Sequence, residues 1–536
     1  MFARNWMPIV FSILWLALVS ACATPTTIPP TASPTAQPTA SNPSPRADAP
    51  KPKEPKSQEP KPQPTTAAQS VTPVPTANRQ PVQDQKQQPT PAPSNNPNFF
   101  ATEILGRPTN NSVTVNVVPN KNLEIYFEYG TTTGNFTNQT AQVTANANAP
   151  IESLIDKLAP NTRYFYRARY RQPGSAPFAT GIEHSFVTQR TPGSSFAFSV
   201  QGDSHPERQG KQFDPALYTR ALQTAASDQP DFYMLIGDDF SVDTLKTINV
   251  NTVTERYTLQ REYLGLIGSA SPLFLVNGNH EQAAMANLNG TPNNVAVWAQ
   301  LARNKYYPQP APDNFYTGDA QPVEHIGLLR DYYAWTWGDA LFVVIDPYWH
   351  STVVVDNVLG GGTKRGNMWD ITLGDAQYKW FKQTLEQSNA KYKFVFTHHV
   401  LGTGRGGIEL AKQFEWGDAA NFAARRPGWE LPIHQLMVKN GVTIFFQGHD
   451  HIFVKQELDG VIYQSLPEPA NPFYSWENED AYKTGNKFPN SGYVRVNVSP
   501  AQTQVEYVRV YQPKDETNGR KTGEVAFSYT VAPKTK

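Results

Sequence analysis

A single cysteine, Cys22, stands among 536 residues. Intrachain disulfides, thiolate zinc clusters and a catalytic thiol in the body of the protein are thereby excluded. Net charge is also missing, because 46 Lys plus Arg offset 46 Asp plus Glu. Binding to nucleic acid through bulk charge, which needs a basic surface, is not expected. Aromatic residues are absent from residues 23–98, which instead hold 20 of the 47 prolines among Thr, Ala, Ser, Gln and Lys. Such a segment cannot bury enough apolar area to offset its ordering entropy. It reads as a disordered, partly polyproline-II linker.

What precedes the linker is short and apolar. Ile9 to Val19 falls below the ~20 residues of a membrane span, and Arg4 supplies a positive start. Val19-Ser20-Ala21-Cys22 resembles the lipobox of exported lipoproteins. Residues 1–22 therefore read as a lipoprotein signal peptide, with Cys22 as the lipidation site. The expectation is an exported protein, anchored through lipid at the cell envelope or its extracellular face.

The remaining length predicts more than one domain. Between residues 99 and 190 the pattern is of short strands. Leu123 to Tyr129 alternates in part, and Tyr164, Tyr166, Ala168 and Tyr170 share one face of a second run. Period-two runs divided by polar turns indicate a β-sandwich. Leu158-Ala159-Pro160-Asn161-Thr162-Arg163-Tyr164 resembles the fibronectin type III turn, with Tyr164 as the corner tyrosine. No residue here suggests chemistry. A spacer or packing role is expected, with carbohydrate or wall binding as the rival.

From 194 to 536 strands and helices alternate, as in a layered α/β domain with mixed sheets. Apolar runs at Phe196–Val200, Phe232–Ile236, Leu273–Val276, Ala340–Ile345, Phe394–Phe396 and Thr443–Phe446 read as buried strands. Asp214-Pro215 predicts a helix start, and Asp375 to Gln387 and Leu431 to Lys439 predict two further helices. Asp459-Gly460 marks a hairpin near the β-rich end.

Polar residues follow five of these strands. They are Gly202-Asp203-Ser204-His205, Gly237-Asp238-Asp239, Gly278-Asn279-His280-Glu281, Thr397-His398-His399 and Gly448-His449-Asp450-His451. Open α/β sheets bind ligands at the carboxyl ends of their strands. Asp, His and Asn without thiolate suit divalent ions such as Mn, Fe or Zn. Each pattern alone is weak, since a lone strand-end His or Gly-Asp is commonly structural. Their ordered recurrence points to a metal site.

The ordered set D-x-H, G-D, G-N-H-E, H, G-H-x-H resembles the calcineurin-like metallophosphoesterase superfamily. With a fibronectin-like domain in front, it is most similar to the purple acid phosphatase-like branch. That resemblance implies a four-layer αββα sandwich around two divalent or mixed-valence metal ions, Fe, Mn or Zn. It places Asp203, His205 and His451 on the first metal. Asn279, His398 and His449 go to the second, and Asp238 bridges both. His280 would stand outside the metal shell as the catalytic acid. The implied substrate is a small phosphate ester, hydrolysed by a hydroxide that bridges the metals, and the implied activity is that of an exported acid phosphatase-like phosphomonoesterase. A phosphodiesterase or nucleotidase is the second reading. A non-catalytic surface binding lipoprotein with structural metals is the reading from another class, and it leaves the complete ligand set with His280 unexplained.

One position departs from the family. Purple acid phosphatases carry an iron-binding tyrosine three residues after the bridging aspartate, and the related protein phosphatases an aspartate that orients the catalytic His. This chain has Ser241. Asp239, Asp243 or Glu281 could take over the orienting role. His399 and Arg405 are substrate-binding candidates. Tyr348, Trp349 and His350 could wall the pocket, and Asp450 could support the ligands. Trp369, Trp416 and Trp429 could shape specificity, while His325 and His434 read as ordinary.

Overall fold

The computed structural model describes residues 96–175, 177–355 and 367–534. The expected signal peptide with Cys22, and nearly all of the expected linker, lie outside these residues.

Two face-packed sheets form the centre of the α/β region. One has six strands in the order Leu273–Leu275, Tyr233–Leu235, Phe196–Gln201, Gly492–Val498, Thr503–Arg509 and Val525–Val531. Its first three strands are parallel and the rest antiparallel. The other has eight strands, with Ala340–Val344, Tyr392–Phe396, Ile444–Gln447 and Val461–Ser465 running parallel through its middle. Phe198, Val200, Phe232, Met234, Phe274, Phe342, Phe394, Phe396 and Phe446 meet in the layer between the sheets.

The alternate residues face helices. Tyr233, Leu235, Leu273 and Leu275 pack against helices Pro215–Ser227, Val250–Gly268 and Val295–Tyr306. Val343, Val395, Phe445 and Tyr463 pack against Gly374–Gln387 and Ile433–Lys439. Strands covered on both faces read as unbroken apolar runs, which is why they were visible in the sequence. The result is four layers, αββα.

Local signals hold at several boundaries. Asp214 caps its helix by accepting the Leu217 N–H at 2.8 Å, with Pro215 at the first position. Asp459 (φ 50°) and Gly460 (φ 77°) form the two-residue turn joining Phe453–Leu458 to Val461–Ser465, as a type I′ hairpin requires.

Besides the short turns Phe414–Gly417 and Phe422–Arg425, two long helices go beyond the sequence expectation. Val250–Gly268 hides Gln260 and Arg261 on its buried side, which breaks the apolar stripe that betrays a helix. Val295–Tyr306 likewise buries Gln300 and Arg303.

Ahead of this region, strands of a three-stranded and a six-stranded sheet enclose a core of Val113, Val115, Ile125, Phe127, Tyr164, Tyr166 and Phe186. This is the expected β-sandwich. The Tyr164 hydroxyl accepts the Ala159 N–H at 2.9 Å, closing the turn as a tyrosine corner does. The sandwich joins the α/β layers through buried polar contacts. Tyr166 donates to the Ser269 carbonyl at 2.7 Å. Arg261 donates to Asn116 at 2.9 Å and to the Tyr306 carbonyl.

Among the described residues, no helix is long and apolar enough to cross a membrane.

Candidate metal centre

Five strands end at one rim. Phe196–Gln201, Tyr233–Leu235 and Leu273–Leu275 deliver Asp203 with His205, Asp238, and Asn279 with His280. Tyr392–Phe396 and Ile444–Gln447 deliver His398, and His449 with His451, from the other sheet. The backbone turns sharply here. His205, Asp238, His449 and His451 all have positive φ, between 46° and 67°. Non-glycine residues hold that conformation only where their surroundings over-determine it, most often at functional sites. Gly278 answers a second constraint, since a Cβ there would stand 2.2 Å from Asp238 Oδ1.

The side chains of Asp203, His205, Asp238, Asn279, His398, His449 and His451 are all buried. They gather in two groups. Asp203, His205 and His451 form one, and Asp238, His398 and His449 the other. Asp238 also lies within a group with His205 and His280, so it joins the two. Asp203 Oδ2 stands 3.0 Å from His451 Nε2 and 3.6 Å from His205 Nε2. Asp238 Oδ2 stands 3.1 Å from His398 Nε2, which is 3.2 Å from His449 Nδ1. Ligands bonded at about 2.0–2.2 Å to one ion lie about 3–3.6 Å from each other. The donor set and its spacing therefore fit cations. His205 Nε2 is buried without a hydrogen-bond partner, as a nitrogen reserved for a metal would be.

Charge points the same way. Burial works against the Asp203 carboxylate, yet the neighbouring His398 and His451 hold its carboxyl well below the usual range. Asp238 behaves alike, with His398 and His280 outweighing burial. In return, burial disfavours charged His398 and His451, but the carboxylates raise both to about 10. His449 is pushed well down by burial and by Arg405. Two buried carboxylates thus demand positive charge between them. Protons on histidine and metal ions compete for that role.

A further ring of contacts aims the ligands. His398 Nδ1 meets the Ile236 carbonyl at 2.9 Å, which makes it the N–H and leaves Nε2 as the donor to a metal. His451 Nδ1 meets Glu468 at 2.9 Å, and Glu468 is itself held by Asn471 at 2.7 Å. His205 Nδ1 meets Glu207 at 3.0 Å and Ser241 Oγ at 3.1 Å. The departing position, Ser241, thus touches the His205 ring. Glu207 and Glu468 carry no sequence motif and were not anticipated.

Of the three carboxylates considered for orienting His280, only Asp243 touches its ring, at 2.7 Å from Nδ1. Asp239 instead accepts from Ser204 at 2.6 Å and Gln201 at 2.8 Å. Glu281 ties the backbone N–H groups of Gly278, Asp238 and Phe240. Unlike the buried ligands, the His280 side chain is 19% exposed. Its Nε2 lies 3.8 Å from Asp238 and 3.3 Å from Arg208 Nη2. Arg208, also unanticipated, stands at this mouth, braced by Gln212 at 2.6 Å.

The remaining candidates are placed as follows. His399 is fully buried, with Nε2 3.4 Å from Asp450. The partly exposed Arg405 donates to Asp450 at 3.1 Å and to the His449 carbonyl. Tyr348 packs beside the His398 ring and donates to the Gly402 carbonyl at 2.8 Å. Trp349 packs with Ala296 and Leu329. His350 belongs to a separate cluster with Asp319 and Asp331. Trp369, Trp416 and Trp429 lie in the core on the outer face of the eight-stranded sheet. His434 bonds Tyr463 and Asp459.

Comparison with known proteins agrees with this geometry. Residues 197–453 match the family model of the calcineurin-like phosphoesterases. A purple acid phosphatase from yellow lupin (Lupinus luteus) seeds superposes with a TM-score of 0.54 at 17% identity, over 82% of this chain and 74% of that one. The structure of PhoD superposes with a TM-score of 0.58 at 15% identity, over 82% of this chain and 91% of that one. At such identities the likeness is one of fold. No curated protein matched the sequence. A family match spanning all five motif-bearing strands, on the fold those relatives share, identifies residues 197–453 as a calcineurin-like phosphoesterase region, that of a phosphoric ester hydrolase.

Proposed function

We propose that the chain is an exported, acid phosphatase-like phosphomonoesterase that works with two metal ions. The observation that carries this reading is the pair of ligand groups joined at Asp238, with His280 at their exposed edge. Asp203, His205 and His451 would hold one ion of the Fe, Mn or Zn class. Asn279, His398 and His449 would hold the other, with Asp238 between them. Bound there, such ions supply Lewis-acid activation of the ester and of the attacking water.

The protein's own residues do the rest. Asp203 and Asp238 fix negative charge in the interior. The Ile236 carbonyl and Glu468 hold His398 and His451 in the ligating orientation. His280 carries the proton. Burial disfavours its charged form, but Asp238 and the hydrogen bond to Asp243 raise it to about 9. Below that value the ring takes its second proton on Nε2, the nitrogen that faces Asp238, against the opposing charge of Arg208. That proton passes to the leaving-group oxygen as the phosphorus–oxygen bond breaks. Arg208, beside the same nitrogen, is suited to donate to a phosphate oxygen.

Export and tethering rest on the sequence around Cys22. The test joins both parts. Intact cells displaying the chain should hydrolyse p-nitrophenyl phosphate faster than its bis ester, and Cys22→Ser should release that activity into the medium. Faster hydrolysis of the bis ester would make the chain a phosphodiesterase. Activity appearing only after lysis would refute export.

A further inference from the structure

Outside the dimetal groups, one more set of ligand-type side chains converges. Asp319, Asp331 and His350 each offer an atom, and these atoms all lie within 4.8 Å of one another. They come from three separate places. Asp319 follows the strand Thr317–Gly318, Asp331 precedes Tyr333–Trp337, and His350 lies in the turn after Ala340–Val344. Asp331 is 1% exposed and Asp319 is 6% exposed. Asp331 Oδ1 accepts the Tyr332 N–H at 2.9 Å, whereas its Oδ2 is buried with no hydrogen-bond partner. His350 Nε2 is buried and unpartnered as well. Leaving a buried carboxylate oxygen unmatched is costly. Here that oxygen and an imidazole nitrogen are both left open in one cluster.

The charge of the cluster is also unbalanced. Asp346 stands nearby, fully buried, and burial with Asp346 and Asp319 holds the Asp331 carboxyl well above its usual range. No Lys or Arg ion pair with Asp319, Asp331 or Asp346 occurs among the described residues. Burial holds His350 below the usual histidine value despite Asp346 and Asp319, which favours the neutral ring.

We propose that Asp319, Asp331 and His350 form a third cation site, which takes a divalent ion of the zinc or manganese class. Two carboxylates and an imidazole suit that class, with water completing the shell, and are too few oxygens for calcium. Its role is structural. Asp346 accepts from Asn277 at 2.9 Å, and the Trp349 carbonyl accepts the Met285 N–H at 3.0 Å. The turn that carries His350 is thus fastened to the loop that carries Asn279 and His280. An ion at the third site would clamp that turn to the neighbouring sheet edge.

This site goes beyond the phosphatase reading and fails separately from it. The test is metal content per chain after loading with Zn²⁺ or Mn²⁺ and gel filtration, with anomalous diffraction at the metal edge to locate each ion. Wild type should hold three equivalents. Asp331→Asn and Asp319→Asn, both isosteric, should each hold two and lose the density beside His350. Zn²⁺ should raise the melting temperature less in these variants than in wild type. Two equivalents in wild type, no density at Asp331, or an unchanged count in both variants would overturn the third site and leave the dimetal centre intact. Loss of no ion in Asp238→Asn would instead count against the dimetal reading alone.

Discussion

Asp238→Asn is expected to lower kcat/KM for p-nitrophenyl phosphate by about 10³-fold or more. Asp238 lies between the two ligand groups and contributes a buried negative charge, 3.1 Å from His398 in one and 3.9 Å from His205 in the other. Asparagine keeps the shape but removes the charge, and turns an N–H₂ toward any cation. Electrophilic stabilisation of a phosphoryl oxygen contributes several kcal/mol, and each 1.36 kcal/mol is tenfold in rate. Metal analysis should show at least one equivalent lost. The fold should persist, because Asp238 is not part of the apolar layer between the sheets and asparagine keeps its shape. A variant that retained wild-type turnover would remove Asp238 from the mechanism.

His280→Ala should cost about 10²–10⁴-fold in kcat, the usual range for a lost general acid. Metal content should stay at the wild-type level. The loss should be smaller for a p-nitrophenolate leaving group, which needs little protonation, than for an alkyl phosphate. Asp243→Asn tests the support. Asp243 holds His280 Nδ1 at 2.7 Å and helps raise its pKa to about 9. An acid with a raised pKa works below that value and is lost as pH rises through it. Removing the carboxylate should therefore move the alkaline limb of the kcat profile to lower pH. Equal losses for both leaving groups, with an unmoved limb, would show that His280 only shapes the site.

The candidate ligands stand out in the sequence because each follows an apolar strand, and strands covered on both faces leave an unmistakable run before the polar turn. The supporting residues were not. Asp243 lies 37 residues before His280, and only the folded loop distinguishes it from Asp239 and Glu281. Glu468, Glu207 and Arg208 carry no pattern of their own and are recognised by what they touch. The helix Val250–Gly268 escaped because its inner face spends Gln260 and Arg261 on polar contacts, with Gln260 bonding Ser204 and Asp239 and Arg261 reaching the sandwich. The cluster at Asp319, Asp331 and His350 is assembled from unrelated turns, so no local spacing announces it.

Chelation tests the central claim most directly. Chain stripped with a strong chelator and desalted should have lost hydrolysis of p-nitrophenyl phosphate. Adding back Mn²⁺, Zn²⁺ or Fe²⁺ should restore it in wild type and not in Asp238→Asn. Turnover that survives complete metal removal, or that no metal restores while the chain remains folded, would contradict the account.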